Sequence, residues 1–487
     1  MFREHTKSHV PSLPVLLTLI TSMTGCATLS PNTPPSVGDY IPKMVGQQAP
    51  ANQAPMAGAS SLNLASPATG LSKDVLSLAE CVQIALNQNP AQLAARHGIT
   101  VATETVGIAK APYYPEVNFI SSWSRSQRSS TLPGGVTQLL TPDSNGPTND
   151  WLAGFAARYT IADGGRRAAE LRRTLALKGA TEEDAKRVRQ DIVFEVQSSF
   201  YRQAAATQVH SVAEENLSRA KAHLDLAQRL KEAGAVPKAD VLRADVEVAE
   251  AELSLARAAG LTRTTRGQLS IAMGLPAASR FKIDAEDQKL ASPVLADPEI
   301  MIEEALYARP EINAGLQYVS ADQAGVAAAK SAYRPRLYAD AGYDYHSDSF
   351  PPKGEEWSVA LNLSWTIFSG FSRKHEVNRA RAELSRQEAE VQQLILQVQQ
   401  EVWAAYSTVL ETWESVETTE SQVASALDSM RAASTRYEVG AATINDLLDA
   451  QTALARAETN RAETVWNYLI ADAWLDRVRG KNSAAYS

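Results

Sequence analysis

Four segments of the chain alternate large apolar residues with small or polar ones at a period of two. In the last of them Trp357, Val359, Leu361, Leu363, Trp365 and Ile367 alternate with Ser358, Ala360, Asn362, Ser364 and Thr366. In another, Trp151, Ala153, Phe155, Ala157, Tyr159 and Ile161 share one face, with Arg158 and Thr160 on the other. The remaining two run through Val117, Phe119, Ser121 and Trp123, and through Leu337, Ala339, Ala341, Tyr343 and Tyr345, the latter opposite Tyr338, Asp340, Gly342 and Asp344. Successive side chains of a strand point to opposite faces, so this pattern predicts strands at about 116–126, 151–162, 336–346 and 357–368, apolar on one side only.

Between the strands the apolar period lengthens to three and four, as in Val188, Ile192, Val196, Phe200 and in Leu394, Val398, Val402, Tyr406. Two proline-free stretches, 165–232 and 371–438, predict helices of about 65 to 70 residues, each on the order of 100 Å long at 1.5 Å per residue. Return helices follow at about 239–273 and 444–478. Shorter helical patterns run from Leu76 to Asn89-Pro90 and on to Lys110, and from Ile302 to Arg309-Pro310 and on to Lys330. The stripes are packing seams, with no cofactor site in them.

The two halves are copies of one another. An offset of about 220 pairs Pro90 with Pro310, Lys110 with Lys330, Tyr113 with Tyr333 and Pro115 with Pro335. After the strands the offset is about 206, pairing Gly234 with Gly440, Asp240 with Asp446 and Leu242 with Leu448, because the first hairpin loop is the longer. Glycine marks each turn from strand to helix, in Asp163-Gly164-Gly165 and Ser369-Gly370-Phe371. At each helical hairpin tip a glycine suits the left-handed end of a helix. Thr443 and Asp446 have the spacing of a capping box for the helix that follows.

Alternation alone leaves two readings of the strands open: membrane strands, or a sheet resting on a soluble core. In a bilayer four strands cannot close a barrel, and an open edge would strand backbone groups without partners. Several chains must then contribute, and three copies giving twelve strands are the smallest cyclic assembly that closes comfortably.

Composition agrees with long helices: 44% of residues are hydrophobic and only 7% aromatic. A formal charge of −8 offers no basic patch for nucleic acid. The seven histidines are scattered and no catalytic motif is present; Asp344, His346 and Asp348 sit in or beside a loop without a metal-site pattern. The chain reads as no enzyme, with no cofactor and no metal. Its two cysteines form no disulfide framework, and Cys81 lies on a helical pattern as a small buried residue.

The start resembles a bacterial lipoprotein signal peptide: Arg3 and Lys7 precede an apolar run from Val15 to Ile20, and Ser22-Met23-Thr24-Gly25 leads to Cys26, the implied lipidation site. An ordinary secretory leader is the other reading; both export the chain. Ala27 and Thr28, with no Asp after the cysteine, imply by resemblance the outer membrane. Residues 26–75 are rich in Pro, Ala, Gln, Ser and Gly and read as a tether. The first repeat then spans 76–275, a connector 276–299, the second repeat 300–479, and a disordered tail 480–487.

The doubled helix-strand-strand-helix plan, Pro90 and Pro310, the strand-to-helix glycines and both tips resemble the TolC-like outer-membrane factor family over about 400 residues. That resemblance implies a mainly α protein with a membrane β-barrel: a trimer whose twelve-stranded barrel continues into a long α-helical periplasmic barrel. It further implies a lipid-anchored outer-membrane channel of a tripartite efflux system, passively conducting what an inner-membrane pump and a periplasmic adaptor deliver. Two alternatives stand beside it: the outer-membrane component of type I protein secretion, and, in another class, a non-conducting lipid-anchored periplasmic coiled-coil scaffold.

By the same resemblance Val439-Gly440-Ala441 and, in the first repeat, Gly234-Ala235 are adaptor-contact tips. Asp446 and Asp449 match the carboxylates that ring the tunnel's periplasmic gate, and Tyr437 an aromatic of its closed-state hydrogen-bond network. Ala442 departs from the arginine of some members, and Arg243 stands in the first repeat where Asp449 stands in the second.

Overall fold

The structure is a computed structural model that describes residues 75–127, 147–285 and 290–481. The leader, Cys26 and the tether lie outside these residues, as do most of the first hairpin loop and the tail beyond Lys481. The described residues fall in one compact unit.

A two-residue strand β1 (Val75–Leu76) leads into α1 (Leu78–Gln88). Ser77 caps that helix in a capping box: Glu80 N–H donates to Ser77 Oγ at 3.4 Å, and Ser77 N–H donates to Glu80 Oε2 at 2.9 Å. Helix α2 (Pro90–Lys110) follows at once, capped by Asn89, whose Oδ1 accepts from Ala91 N–H at 2.9 Å. Pro90 takes the first helical position, where its missing N–H has no intrahelical partner to lose. Then come β2 (Glu116–Ser126), β3 (Thr148–Ala162), α3 (Arg166–Glu232) and α4 (Lys238–Ala272). After β4 (Lys282–Ile283) the order repeats as α5 (Pro298–Ala308), α6 (Pro310–Ser331), β5 (Arg336–Ser347), β6 (Gly354–Ser364), α7 (Ser372–Glu438) and α8 (Ile444–Val478). Helices α3 and α7 are both 67 residues long and α4 and α8 both 35, so the duplication read from spacing holds to the residue.

Several boundaries differ from expectation. The fourth strand ends at Ser364, not 368, because β5 begins at Arg336, opposite Ser364, and residues beyond have no strand to pair with. Trp365 instead donates its indole N–H to the Tyr333 carbonyl at 3.1 Å. The same strand starts earlier, at Gly354 opposite His346, and β3 starts at Thr148 opposite Ser126. Leu76 is not helical: β1 pairs in parallel with β4 inside the supposed connector, whose last two residues already belong to α5. The first residues of the expected tail are tied down. Gly480 ends α8 at φ 77°, its carbonyl accepting from Gln190 at 3.1 Å, and Lys481 pairs with Glu304 at 2.9 Å.

Helices α3 and α4 pack as one antiparallel pair and α7 and α8 as another, with α8 also against α3 and α6 between α3 and α7. Val196, Phe200, Leu269 and Met273 close one core together with Cys81, which is fully buried as expected; Met301, Val398, Val402 and Leu475 close a second. Each such side chain contributes about 1.5–3 kcal/mol by leaving water. All four long helices end alike. At α3, Ala235 N–H reaches back to the Leu230 carbonyl at 2.8 Å and Gly234 N–H to that of Lys231 at 2.9 Å; at α7, Ala441 and Gly440 do the same to Arg436 and Tyr437. Gly234 and Gly440 both sit at φ 73°, which only glycine adopts freely.

Candidate functional site

The four long strands form one antiparallel sheet in the order β2-β3-β5-β6. Register sets Phe119 opposite Phe155, Phe155 opposite Tyr343 and Tyr343 opposite Trp357, so a row of aromatics crosses every strand on one face. The next row is Val117, Ala157, Ala341 and Val359. Ile120 and Leu152 stand on the opposite face, and Ile161 leaves the alternation at a bulge between Thr160 and Ala162. No described element covers this face: Phe119 is 63% exposed, Trp357 72% and Val359 74%. A soluble core would have covered such side chains, so that reading fails and the face is built for an apolar solvent.

The opposite face is wired with charge. Arg158 Nε donates to Asp340 Oδ1 at 2.6 Å, Asn362 Nδ2 donates to Asp340 Oδ2 at 2.8 Å, and the Arg158 guanidinium lies 5.1 Å from the Tyr338 ring centre. Near the loops His346 Nε2 lies 2.5 Å from Asp150 Oδ1. Among the described residues no group of three or more His, Cys, Asp or Glu is placed to hold a metal. Strands β2 and β6 each leave one edge unpaired.

Two arginines that the sequence reading passed over fix the sheet to the long helices. Arg167 donates to the Pro112 carbonyl at 3.0 Å and to the Ile161 carbonyl at 3.2 Å, pairs with Asp163 at 3.1 Å, and lies over the Tyr113 ring at 4.9 Å. Arg373 repeats this with Ala332, Ile367 and Ser369, over Tyr333 at 5.2 Å. Each therefore ties the end of one strand to the turn that opens another. The duplication held the signal, since 167 and 373 are 206 apart and 113 and 333 are 220 apart.

The glycines beside them are not equivalent. A Cβ on Gly164 (φ 70°) would lie 2.6 Å from Arg334 Cβ and 2.9 Å from the Ser331 carbonyl oxygen, whereas one on Gly370 (φ 60°) meets nothing within 4 Å. Gly370→Ala then costs only the left-handed backbone, about 1–2 kcal/mol, while Gly164→Ala adds a clash that moves backbone. Thermal unfolding of the two variants is expected to place Gly164→Ala lower by several degrees; equal midpoints would contradict the close approach.

At the far end of the long helices the two tips pack on each other within the chain. Tyr437, Ile444 and Leu447 are buried there against Leu226, Leu230 and Val236 of the first hairpin. The expected capping box is present: Thr443 N–H and Oγ donate to Asp446 Oδ2 at 2.8 and 2.7 Å, and Asp446 N–H donates to Thr443 Oγ at 3.3 Å. Those bonds from the Thr443 backbone and hydroxyl hold the Asp446 carboxyl below the usual carboxylate range. Asp446 and Asp449 are both exposed. Tyr437 is only 2% exposed and its hydroxyl has no hydrogen-bond partner among the described residues. Burial, with the nearby Asp240, pushes that phenol up. Val439 is 74% exposed, and a Cβ on Gly234 or Gly440 would meet nothing within 4 Å, so both tips present open surface.

Between sheet and tips lies a buried ion knot. Arg309, 4% exposed, pairs with Glu311 at 3.0 Å and Glu401 at 2.5 Å; Arg477, 6% exposed, pairs with Asp191 at 2.6 Å and Glu311 at 2.9 Å. It joins α3, α6, α7 and α8. Burial raises the Glu311 carboxyl, but the Arg309 hydrogen bonds and charge and that of Arg477 outweigh it and hold the group at about 2.

These features have relatives. The family model of the outer membrane efflux protein matches residues 81–275 and 301–481. Protein CyaE of Bordetella pertussis is 29% identical over 384 residues, 78% of each chain. The pyoverdine export outer membrane protein OpmQ of Pseudomonas putida is 26% identical over 414 residues, 83% of this chain and 85% of its own. The solved outer membrane protein VceC of Vibrio cholerae has the same fold, with a TM-score of 0.72 at 17% identity, covering 83% of this chain and 96% of its own. The chain belongs to the outer membrane efflux protein family and is an outer-membrane export channel.

Proposed function

We propose that three copies close the four-stranded sheets into one twelve-stranded barrel, which continues through the long helices into a periplasmic tunnel. The observation that carries this is the sheet itself, apolar and uncovered on one face, charged on the other, and unpaired at both edges. In lipid those edges need partners, and a second copy of the same sheet supplies them. Channels of this family work with a periplasmic adaptor and an inner-membrane pump, and the exposed Gly234-Ala235 and Val439-Gly440-Ala441 are the surfaces we assign to the adaptor. Cys26 carries the lipid that anchors the tether. The channel conducts passively and catalyses nothing; the pump supplies the energy. Small-molecule efflux stands as the first reading, with protein secretion as the alternative: one relative aligned over most of this chain is named for the export of pyoverdine, and CyaE is the more identical of the two.

At the tunnel entrance three copies bring six carboxylates, from Asp446 and Asp449, to one constriction and favour cations. The Thr443 bonds favour the ionised form of Asp446 against mutual repulsion. Asp446→Asn keeps an acceptor for the cap and removes the charge, so Asp446→Asn/Asp449→Asn isolates the electrostatics. Reversal potentials across a salt gradient in planar bilayers are expected to show cation preference falling several-fold in the double variant. Unchanged selectivity would remove these residues from the gate.

A further inference from the structure

Buried donors without acceptors gather at one cleft. His223 of α3 is 9% exposed, and its Nε2 has no hydrogen-bond partner among the described residues. One turn earlier on the same helix, Arg219 turns both Nη atoms to Glu458 of α8, at 3.3 and 2.5 Å, with Glu215 at 3.8 Å, and leaves its buried Nε equally without a partner. A polar group left in this way has lost its hydration without compensation, and native chains keep few of them. Both residues line a cleft of about 310 Å³ between α3 and α7, and Arg431, Ser434 and Thr435 of α7 form its other wall. Among the described residues no Asp or Glu lines it.

The walls therefore hold two guanidiniums, an imidazole and two hydroxyls. Burial and the Arg219 charge lower the His223 imidazole, with Glu438 opposing them, so at neutral pH the ring is uncharged and meets a ligand as a neutral donor. Arg431 has Asp428 at 3.7 Å, but both are surface groups, 68% and 82% exposed, and such a pair yields easily to a better-placed anion. The repeat does not carry the set. At the offset of 206, Ser425 and Ser429 stand for Arg219 and His223, while Asp225, Gln228 and Arg229 stand for Arg431, Ser434 and Thr435. Shared packing residues follow from the duplication; donors gathered in one copy only do not.

We propose that this cleft binds a small oxyanion of the phosphate kind, whose oxygens accept from Arg219 Nε, His223 Nε2, the Arg431 guanidinium and the Ser434 hydroxyl. Bonds from guanidinium to oxyanion are stronger than those between neutral groups. The consequence is mechanical. The cleft stands just above the cluster in which Tyr437 packs on Leu226 and Leu230, with His223 about 16 Å along α3 from the Gly234 tip at 1.5 Å per residue. An anion held from both walls ties α7 to α3 and restrains the two hairpins from parting. The site lies within one chain and does not depend on how many copies assemble.

The test is thermal unfolding of the full chain in detergent, titrated with sodium phosphate against sodium chloride at matched ionic strength and pH. Binding at a site raises the midpoint along a curve that flattens as the site fills, whereas the general exclusion of phosphate from protein surfaces gives a rise that keeps growing. The wild type is expected to gain a few degrees along a flattening curve. Arg431→Gln, at an exposed position that spares the core, should lose most of that gain, and His223→Leu should lose it as well. Arg229→Gln, which removes the exposed cation at the repeat-related position, should keep it. Ala222→Glu is a second variant: Ala222 is exposed and lines the same cleft, so the new carboxylate fills it, raises the midpoint in chloride and abolishes the response to phosphate. A rise that never flattens, or a flattening rise that Arg431→Gln and Ala222→Glu leave intact, overturns the site and leaves the channel standing.

Discussion

Val359→Lys, Leu361→Lys and Leu363→Lys together are expected to abolish outer-membrane assembly. The three side chains stand on one face of β6, in register with Ala341, Ala339 and Leu337 of β5, and are 74%, 67% and 69% exposed in the single chain. A lysine on the lipid face costs about 2–4 kcal/mol at the bilayer midplane, less near the headgroups. Three such residues in each of three copies cost up to about 18–36 kcal/mol, more than the about 5–15 kcal/mol that holds an ordinary fold together. Lysines at Ser358, Ala360 and Asn362, on the opposite face of the same strand, are the control; there they meet water and Asp340. Membrane fractionation should find the first variant absent from the outer membrane and the second present. Normal assembly of the first would mean that this face does not meet lipid.

Breaking the ion knot is the second large effect. Arg477→Met leaves Asp191 and Glu311 without that guanidinium while Arg309 still holds the other side of Glu311. Because Glu311 keeps Arg309, and Asp191, 40% exposed, keeps Arg187 at 3.0 Å, the expected cost lies below the about 3–5 kcal/mol of a wholly uncompensated buried charge and above that of a surface pair. The acid dependence follows from Glu311. Its carboxyl is depressed from 4.5 to about 2, so its contribution is fully present above pH 4.5 and is lost as pH falls towards 2. Asp472 and Asp476, raised by burial, act in the opposite sense, so the comparison with Glu311→Gln is what isolates the knot. Thermal unfolding from pH 7 to 2 should show a fall in midpoint below pH 4.5 that is smaller in Glu311→Gln. A cost under about 1 kcal/mol for Arg477→Met would reduce the knot to the value of surface pairs.

The architecture was legible because it is written in periods. Alternation placed all four strands, the three-and-four stripes placed the long helices, and Gly234 and Gly440 placed the tips. Strand ends were less legible: Trp365 and Ile367 continue the apolar alternation of β6 although β5 has already run out of pairing partners at Arg336. The β1–β4 pairing was invisible because two residues carry no period. The knot drew no attention because its members, Asp191, Arg309, Glu311, Glu401 and Arg477, are scattered over both repeats and no short motif holds them. Arg167 and Arg373 could have been found by asking which cations the two repeats share. Capping by Thr443 and Asp446 was read correctly, since helix N-termini use local chemistry that sequence displays directly.

The most direct measurement is single-channel conductance of the purified full chain in planar bilayers. The account predicts discrete, cation-preferring steps from a three-copy particle. A folded, membrane-inserted protein that gives no steps under any applied voltage would contradict it.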